Sequence, residues 1–462
     1  MPQASCLDVR ALINSRPLGS FQKLLIGLGF IIIVLDGFDA VIMGFIAPQL
    51  KTDWNISHQA LGAVLSAGLI GQALGAMLSG PLADRYGRKL IIVASVILFG
   101  VWTLATAFAT DVTQMVAFRF LTGLGLGAAI PNTSTLISEY APDRTRSFLV
   151  TVTLSGFTVG AASGGFISAW MIPAFGWHSL LILGGLAPIL VGVVLIWKMP
   201  ESVSFLITRD APAQRVAAII ERLAPGAAEP GQRYTLGREP VQDRTAIRIV
   251  LSPQYRFATA MLWIGYFSVL FLVYLLSSWL PTLIKEGGGY SVSKAAIATA
   301  MFQIGGPVGA LSIGWAMDRW HKCRVLTGVF LIGAVAVVAI GQITQHFVLL
   351  CLFAGLVGFC MNGGSVGMNA LAAAVYPTEA RATGSSWMIG IGRIGAIISA
   401  FIGGELLAQG WSLSQVFIVL VVPALLVAAA MFVQGRHMDR TKSHAITNAR
   451  LGDAPSLAGS AE

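Results

Sequence analysis

The chain of 462 residues is too apolar for a soluble domain, because 55% of its residues are hydrophobic, only 11% are charged and the mean hydropathy is +0.76. The net charge of +9 raises the question of a nucleic-acid partner, but the basic residues are spread over many short segments instead of one folded face, which argues against nucleic-acid binding. Apolar runs recur from residue 24 to 434, each near or above the ~20 residues that a helix needs to cross a bilayer. We therefore expect an all-α integral membrane protein.

Clusters of glycine, proline and charge divide the apolar sequence into twelve predicted spans. Their ranges are 23–50, 58–83, 90–110, 113–138, 146–172, 177–198, 255–286, 292–318, 324–345, 347–375, 381–409 and 412–436. The widest gap, 199–254, contains six prolines among many arginines, and we predict a polar linker in which 215–222 forms one amphipathic helix. The predicted organisation is an N-terminal six-helix bundle (1–198), this linker, a second bundle (255–436) and a disordered cytoplasmic tail (437–462).

The distribution of lysine and arginine predicts the orientation in the membrane. With the N-terminus inside, 25 of the 30 basic residues lie on the cytoplasmic side, whereas Lys51, Lys285 and Lys294 lie outside and Arg119 and Arg393 lie within spans. This pattern satisfies the positive-inside rule. We expect a multi-pass protein of the inner (cytoplasmic) membrane with both termini and the linker in the cytoplasm.

Cysteine and histidine give no indication of metal or redox chemistry. The four cysteines are dispersed, and the six histidines show no ligand spacing. No nucleophile–base pair is recognisable either. We therefore expect neither an enzyme nor a cofactor or metal ion.

The stretch "LDGFDAVIMGFIAPQL" (35–50) places Asp36 and Asp39 inside the first span. Each acid near the centre of a span costs about 2.5–3.5 kcal/mol on insertion scales. Their spacing puts both carboxylates on one face of the helix, where they must face a cavity or a cation. A structural ion pair between two helices is the alternative, but acids within a membrane are functional sites by default.

The two halves of the chain contain matching loop sequences. "GPLADRYGRK" (80–89) follows span two and "GWAMDRWHK" (314–322) follows span eight, while "EYAPDRTR" (139–146) and "VYPTEARATG" (375–384) repeat the pattern at nearly the same offset. Two such pairs predict two related six-helix bundles. That arrangement allows a transporter to rock around a site at the middle of the membrane.

With these motifs the sequence resembles the major facilitator superfamily, whose fold is two pseudo-symmetric six-helix bundles. The loop "GPLADRYGRK" matches the signature after helix two: the resemblance implies that Gly80 permits close helix approach, that Asp84 caps a helix or pairs across the interface between the halves, and that basic side chains line the inner face. Those basic residues are Arg85, Arg88 and Lys89. "RFLTGLGLG" resembles the helix-four motif, and "GFTVGAASGG" (156–165) resembles the antiporter motif except for Ala161, where antiporters usually carry proline. This departure favours a symporter.

Further motifs resemble the aromatic acid:proton symporter family. They are "DGFD" followed by "APQL", "SEYAP" after span four, "SSWLPTL" (277–283) and "FQIGGPVGALSIGWAMDR" (302–319). The resemblance implies proton-driven uptake of a benzoate-type or hydroxybenzoate-type acid into a bacterial cytoplasm. We expect the protein to be a monomer in the bilayer, with the acid and the proton as its partners. The alternatives are a carrier of another small organic acid or of a sugar-like metabolite, and then an exporter.

The charged residues within the spans have expected roles. The resemblance makes Arg119 in helix four the expected partner of Asp36 and Asp39, and Arg119 is also a candidate for binding the substrate. An acid that alternates between paired and unpaired states can take up and release a proton. Arg393 in "GIGRIGAI" is the expected anchor for the substrate carboxylate, because a guanidinium binds a carboxylate through two points. A snorkelling or packing role for Arg393 is the alternative.

The remaining candidates are polar or aromatic residues. Those expected to line an aromatic slot are Gln303, Asn362, Asn369, Tyr274 and Trp387, although such residues also serve as interhelical contacts or interfacial anchors. Those expected to act in gating at the inner ends of the helices are Glu139, Arg144, Asp318, Arg319 and Glu379. Glu139 and Glu379 are predicted to pair with loop arginines.

Overall fold

The computed structural model describes residues 6–228, 232–236, 246–343 and 345–452. It confirms the all-α architecture: within the described residues, twelve helices are long and apolar enough to cross a membrane. In the first half these are α2 Ser20–Trp54, α3 His58–Tyr86, α4 Arg88–Thr106, α5 Val112–Tyr140, α6 Arg146–Phe175 and α7 Trp177–Lys198. In the second half they are α11 Arg256–Gly288, α12 Val292–Arg319, α13 Lys322–Gln342, α14 Phe347–Val375, α15 Thr378–Ala408, and α16 Leu413–Val419 with α17 Val421–Gly452 as the last span.

Short elements lie before the first span and between the halves. They are β1 Cys6–Asp8, α1 Val9–Ser15, α8 Val203–Thr208, α9 Ala213–Leu223, β2 Arg233–Thr235 and α10 Ala246–Val250. Strand β1 pairs in parallel with β2. Helix α9 lies where an amphipathic helix was expected, and its buried Val216, Ile219 and Ile220 pack in one apolar cluster with α1 and the first bundle.

The helix pairs repeat between the halves. Helices α3 and α5 pack closely in the first half as α12 and α14 do in the second, and α2 with α6 corresponds to α11 with α15. Glycine permits these approaches: a Cβ on Gly123 would lie 2.1 Å from the carbonyl oxygen of Gly68, and one on Gly305 would lie 2.0 Å from that of Gly355. The contacts thus agree with the repeat predicted from the loop motifs.

The two bundles are joined near one end of the spans, which we call the outer end. There Lys51 on α2 pairs with Glu286 on α11 at 2.8 Å, and His58 at the start of α3 contacts the same carboxylate at 2.9 Å. A Cβ on Gly44 would lie 2.5 Å from the carbonyl oxygen of Ser277, so α2 and α11 touch backbone to backbone. The opposite end, predicted to be cytoplasmic, we call the inner end.

The chain remains helical after residue 436, where a disordered tail was predicted. Helix α17 continues to Gly452, while residues 453–462 lie outside the described part of the structure. No proline occurs between 424 and 452 to end the helix. Asp439 also contacts His321 and Arg324 at 3.1 and 3.3 Å, which ties this segment to α13.

A buried charge cluster at the centre of the molecule

Asp39 and Arg119 form a buried ion pair between α2 and α5. The guanidinium Nη2 lies 3.0 Å from Asp39 Oδ2 and Nη1 lies 3.3 Å from Oδ1, while the Thr103 hydroxyl donates to Oδ1 at 2.6 Å. Asp39 is fully buried and Arg119 is 4% exposed. Two buried charges are tolerated at this depth because each is bonded by the other. The sequence analysis predicted Arg119 as the partner of both acids, whereas among the described residues its ion pair is with Asp39 alone. It missed Thr103, since lone hydroxyls are common in membrane helices.

Asp36 lies one helical turn before Asp39 and has different surroundings. It is fully buried, and neither carboxyl oxygen has a hydrogen-bond partner among the described residues. Its electrostatic neighbours are Asp39 and Arg393, so it faces both a like charge on its own helix and a cation on the other bundle. A buried polar group without a partner is costly, and such groups are concentrated at functional sites.

Arg393 brings the second bundle to this cluster. Its Nη1 donates to the backbone carbonyl of Gln72 on α3 at 3.1 Å, and it interacts electrostatically with Asp36 and Tyr274. A guanidinium carries five donor hydrogens, and this is the one hydrogen bond that Arg393 makes to the described residues. Donors therefore remain for a ligand. We call Asp36, Asp39, Arg119 and Arg393 the central cluster.

The cluster lies near the middle of the spans. At a rise of about 1.5 Å per residue, Asp36 is about 24 Å from the inner end of α2 and Arg393 is about 22 Å from the inner end of α15. On the same basis Gln303 on α12 is about 24 Å, and Asn362 on α14 about 20 Å, from the inner ends of their helices. Residues from both bundles thus share the depth at which transporters bind their substrates.

Two polar contacts connect the predicted slot residues. Asn362 Nδ2 donates to Gln303 Oε1 at 3.4 Å, and Gln303 Nε2 donates to the Ser277 hydroxyl at 3.5 Å. Nearer the inner end, Asn369 Nδ2 donates to the Tyr266 hydroxyl at 3.0 Å. Tyr266, which the sequence analysis missed, interacts electrostatically with both Tyr274 and Arg393.

Trp387 is placed differently from the other slot candidates. Its side chain is 46% exposed and stacks on Trp263 with ring centroids 5.9 Å apart. Trp387 precedes Arg393 by six residues on α15, so the two side chains point about 120° apart around the helix. This position on the exposed apolar surface corrects the expectation that Trp387 lines the slot.

The inner end of the first bundle carries the predicted gating motif. Arg88 Nε lies 2.9 Å from Glu139 Oε1, so Glu139 pairs with a loop arginine as predicted. Glu201 of "PESVSFL" accepts the Lys89 backbone N–H at 3.0 Å and thereby caps α4. Gly80, by contrast, is exposed and a Cβ there would meet nothing within 4 Å, because the close approach of α3 to α5 occurs earlier in α3. The expected close contact at Gly80 is therefore wrong.

The other gating candidates make local contacts. Asp84 is exposed, and its carbonyl accepts from Arg209 of α8's C-cap at 3.1 Å. Exposed Arg85 lies over the Tyr86 ring, and Arg319 lies over the Trp315 ring at 4.0 Å. Arg144 donates to the Arg16 carbonyl at 3.2 Å, and Asp318 is exposed. The Glu379 side chain lies outside the described part of the structure. No cross-bundle partner of Asp84 is found in the residues that the structure describes.

The chain matches a family profile and curated proteins over most of its length. The profile described as Major Facilitator Superfamily matches residues 29–340 and 262–456. The chain is 48% identical over 436 residues to the 4-hydroxybenzoate transporter PcaK of Pseudomonas aeruginosa, covering 94% of this chain and 97% of that protein. It is 44% identical over 434 residues to the gallate transporter of Pseudomonas putida, covering 94% and 96%.

Two solved structures share the architecture. A bacterial homologue of the human lysosomal transporter Spinster superposes with a TM-score of 0.70 at 17% identity, covering 91% of this chain and 98% of that chain. The D-xylose–proton symporter superposes with a TM-score of 0.68 at 18% identity, covering 89% and 97%. At such identities the likeness shows the fold alone.

Proposed function

The chain belongs to the aromatic acid transporters of the major facilitator superfamily, and from this membership we propose that it imports an aromatic carboxylic acid together with a proton by alternating access. The substrate is of the benzoate or hydroxybenzoate type. The protein acts as a monomer in the inner membrane, with both termini in the cytoplasm and the proton gradient as driving force.

The observation that carries this proposal is the relation between Asp36 and Arg393. A buried acid without a hydrogen-bond partner and an arginine with one hydrogen bond to the described residues interact across the two bundles at mid-depth. An aromatic carboxylate that leaves water needs a fixed cation, or its transfer is prohibitive. Arg393 supplies that cation, and its planar fork fits a carboxylate.

Protonation of Asp36 then links the two substrates. When Asp36 is ionised it competes with the aromatic carboxylate for Arg393, and when Asp36 carries a proton the guanidinium is free for the substrate. Proton uptake therefore precedes substrate binding from the outside, and proton loss to the cytoplasm helps release the acid. Asp39 and Arg119 neutralise each other and fix the face of α2 that carries Asp36.

The contacts between the bundles fit one state of the transport cycle. Lys51, Glu286 and Gly44 hold the outer ends together, so this state is closed at the end predicted to face the outside. Opening to the outside requires these contacts to break while the inner ends approach each other. The half-buried ion pair Arg88–Glu139 holds the inner ends of α4 and α5 together, so the first bundle moves as one unit.

Uptake by proteoliposomes tests the proposal directly. Purified protein in vesicles with an imposed inward proton gradient should concentrate radiolabelled 4-hydroxybenzoate, and a protonophore should abolish the concentration without preventing equilibration. Accumulation that persists after the protonophore would contradict proton coupling. In a competition assay, excess benzoate should suppress accumulation more strongly than an excess of a non-aromatic carboxylate or of a sugar. Equal suppression by these competitors would contradict the assignment of an aromatic substrate.

A further inference from the structure

A cavity lies away from the central cluster, between the start of α13 and residues 431–440 of α17. Its volume is about 510 Å³, within the range of roughly 300–1,000 Å³ that is typical of small-molecule sites. The part deeper in the span is lined by Thr327, Met431 and Phe432. The part nearer the inner end is lined by Arg324, Arg436 and Arg440. The cavity therefore has an apolar floor and a basic rim.

The rim is built from two helices. Phe432, Arg436 and Arg440 follow one another at intervals of four on α17, so they lie on one face of that helix. Arg324 lies in the first turn of α13, where the helix dipole adds partial positive charge. All three arginines are exposed, and within the described residues Arg436 and Arg440 form no ion pair. Arg436 lies over the Phe432 ring with its Cζ 5.6 Å from the ring centroid, and no carboxylate among the described residues neutralises Arg436 or Arg440.

One acid contributes to the rim. Asp439 contacts Arg324 at 3.3 Å and His321 at 3.1 Å, which joins α17 to the start of α13. Three arginines against one aspartate leave a formal surplus of two positive charges around the opening. The pair offsets one of the three arginine charges, and the surplus makes the rim a site for an anion.

The surroundings indicate what kind of anion would bind. Phe432 is 51% exposed and Val335 on α13 is 70% exposed, so the floor continues into an apolar surface of the kind that faces hydrocarbon. A soluble phosphate would use the arginines but not this floor. A phospholipid uses both, since its phosphate lies at the level of the helix ends and its acyl chains lie along the span.

We propose that this cavity binds an anionic phospholipid, with the lipid phosphate at Arg436 and Arg440 and an acyl chain over the exposed Phe432. The site holds α13 and α17 together at the inner leaflet. It is separate from the substrate site, so the proposal is independent of which acid is transported and of proton coupling.

Native mass spectrometry of the full-length protein tests the site. The purified chain is titrated with phosphatidylglycerol or phosphatidylcholine, and the population of lipid-bound protein is compared for the parent, the double variant Arg436→Gln/Arg440→Gln and the single variant Asp439→Asn. Each arginine near an anionic lipid surface contributes about 1 kcal/mol, so loss of two predicts roughly thirtyfold weaker phosphatidylglycerol binding in the double variant. Asp439→Asn removes a negative charge from the rim and should strengthen binding severalfold.

Matched controls separate this site from general charge effects. Arg215→Gln/Arg222→Gln removes two charges from α9, away from the cavity, and should leave phosphatidylglycerol binding unchanged. Equal loss in both double variants, or weaker binding in Asp439→Asn, would overturn the proposal. Inorganic phosphate that binds as tightly as the lipid, with the same dependence on Arg436 and Arg440, would show a soluble-anion site and would also overturn it.

Discussion

Asp36 and Asp39 are separated by one helical turn, yet their surroundings predict different consequences of the same substitution. Asp36→Asn removes the titratable group without breaking a hydrogen bond, since its oxygens have none among the described residues. We expect normal membrane abundance, loss of accumulation against a gradient, and retained exchange of labelled for unlabelled substrate. Uptake and counterflow in proteoliposomes measure these properties. Accumulation equal to that of the parent would remove Asp36 from proton coupling.

Asp39→Asn should act on stability instead. The substitution leaves Arg119 as a buried charge with a neutral partner, and breaking a buried pair typically costs about 3–5 kcal/mol. We expect a lower melting temperature in detergent and less protein in the membrane than for Asp36→Asn. Equal melting temperatures for the two variants would show that the Asp39–Arg119 pair contributes little to the fold.

Arg393 is the residue on which substrate affinity should depend most. Arg393→Lys keeps the charge but loses the two-point contact, and Arg393→Ala loses both. Because a hydrogen bond to a charged group contributes about 1.5–3 kcal/mol, we expect benzoate to bind roughly 10- to 150-fold more weakly to Arg393→Ala, with Arg393→Lys in between. Calorimetry on purified protein measures this, with exposed Arg215→Ala as the control. Unchanged affinity in Arg393→Ala would move the anchor to another residue.

The amides of Gln303 and Asn362 lie at nearly the same depth as Arg393. The hydrogen bond between them is 3.4 Å long and the one from Gln303 to Ser277 is 3.5 Å, so both are long enough to be exchanged for bonds to a ligand. We expect these amides to bind a ring hydroxyl. Asn362→Leu should then weaken 4-hydroxybenzoate by about 0.5–1.5 kcal/mol, or roughly two- to twelvefold, while benzoate binding changes little. Competition for labelled substrate gives both affinities. An equal loss for both acids would indicate a purely structural contact.

How well these residues could be predicted depends on how strongly each one contrasts with its helix. Full charges such as Asp36, Asp39, Arg119 and Arg393 stand out in an apolar span. Hydroxyl and aromatic side chains do not, because a helix that is apolar all round carries no signal for its rotation. For this reason Tyr266 and Thr103 were missed, and Trp387 was assigned to the wrong face of α15.

At the level of helices, the positions of the spans were predictable from the length of apolar runs, but the contacts between them depend on glycine at particular places. A Cβ on Gly37 of α2 would lie 2.0 Å from the Phe157 carbonyl oxygen of α6, whereas a Cβ on Gly27 of the same helix would meet nothing within 4 Å. The order of melting temperatures should therefore be Gly27→Ala at or above the parent and Gly37→Ala below it. Overpacking of this kind costs about 1–3 kcal/mol. Thermal unfolding of both variants in one detergent makes the comparison, and equal melting would show that α2 and α6 are free to separate.

The behaviour of the whole molecule depends on the outer contacts, which sequence reasoning missed because they join residues far apart in the chain. Glu286 accepts from Lys51 and contacts His58, so one carboxylate on the second bundle holds two helices of the first. These side chains are part-exposed, and each such polar contact contributes about 0.2–1 kcal/mol. Loss of both Glu286 contacts shifts the free-energy difference between the outward-open and outward-closed states by their combined contribution, about 0.4–2 kcal/mol.

We therefore expect Glu286→Gln to open the outer end more often. A cysteine replacing Ser277, which lies against Gly44 in the closed interface, should react with a membrane-impermeant thiol reagent added from outside. In a background without the native cysteines, labelling should be roughly two- to thirtyfold faster in Glu286→Gln than with Glu286 intact. High salt should reduce the difference, because it screens the part-exposed pairs in the parent. Glu405→Gln is the matched control, because it also removes one carboxylate at the outer end. Glu405 accepts a hydrogen bond from Gln59 at 3.3 Å, and the amide oxygen of a glutamine at this position can accept the same bond. If Glu405→Gln and Glu286→Gln accelerated labelling equally, net charge at the outer end rather than the Glu286 contacts would hold the bundles together.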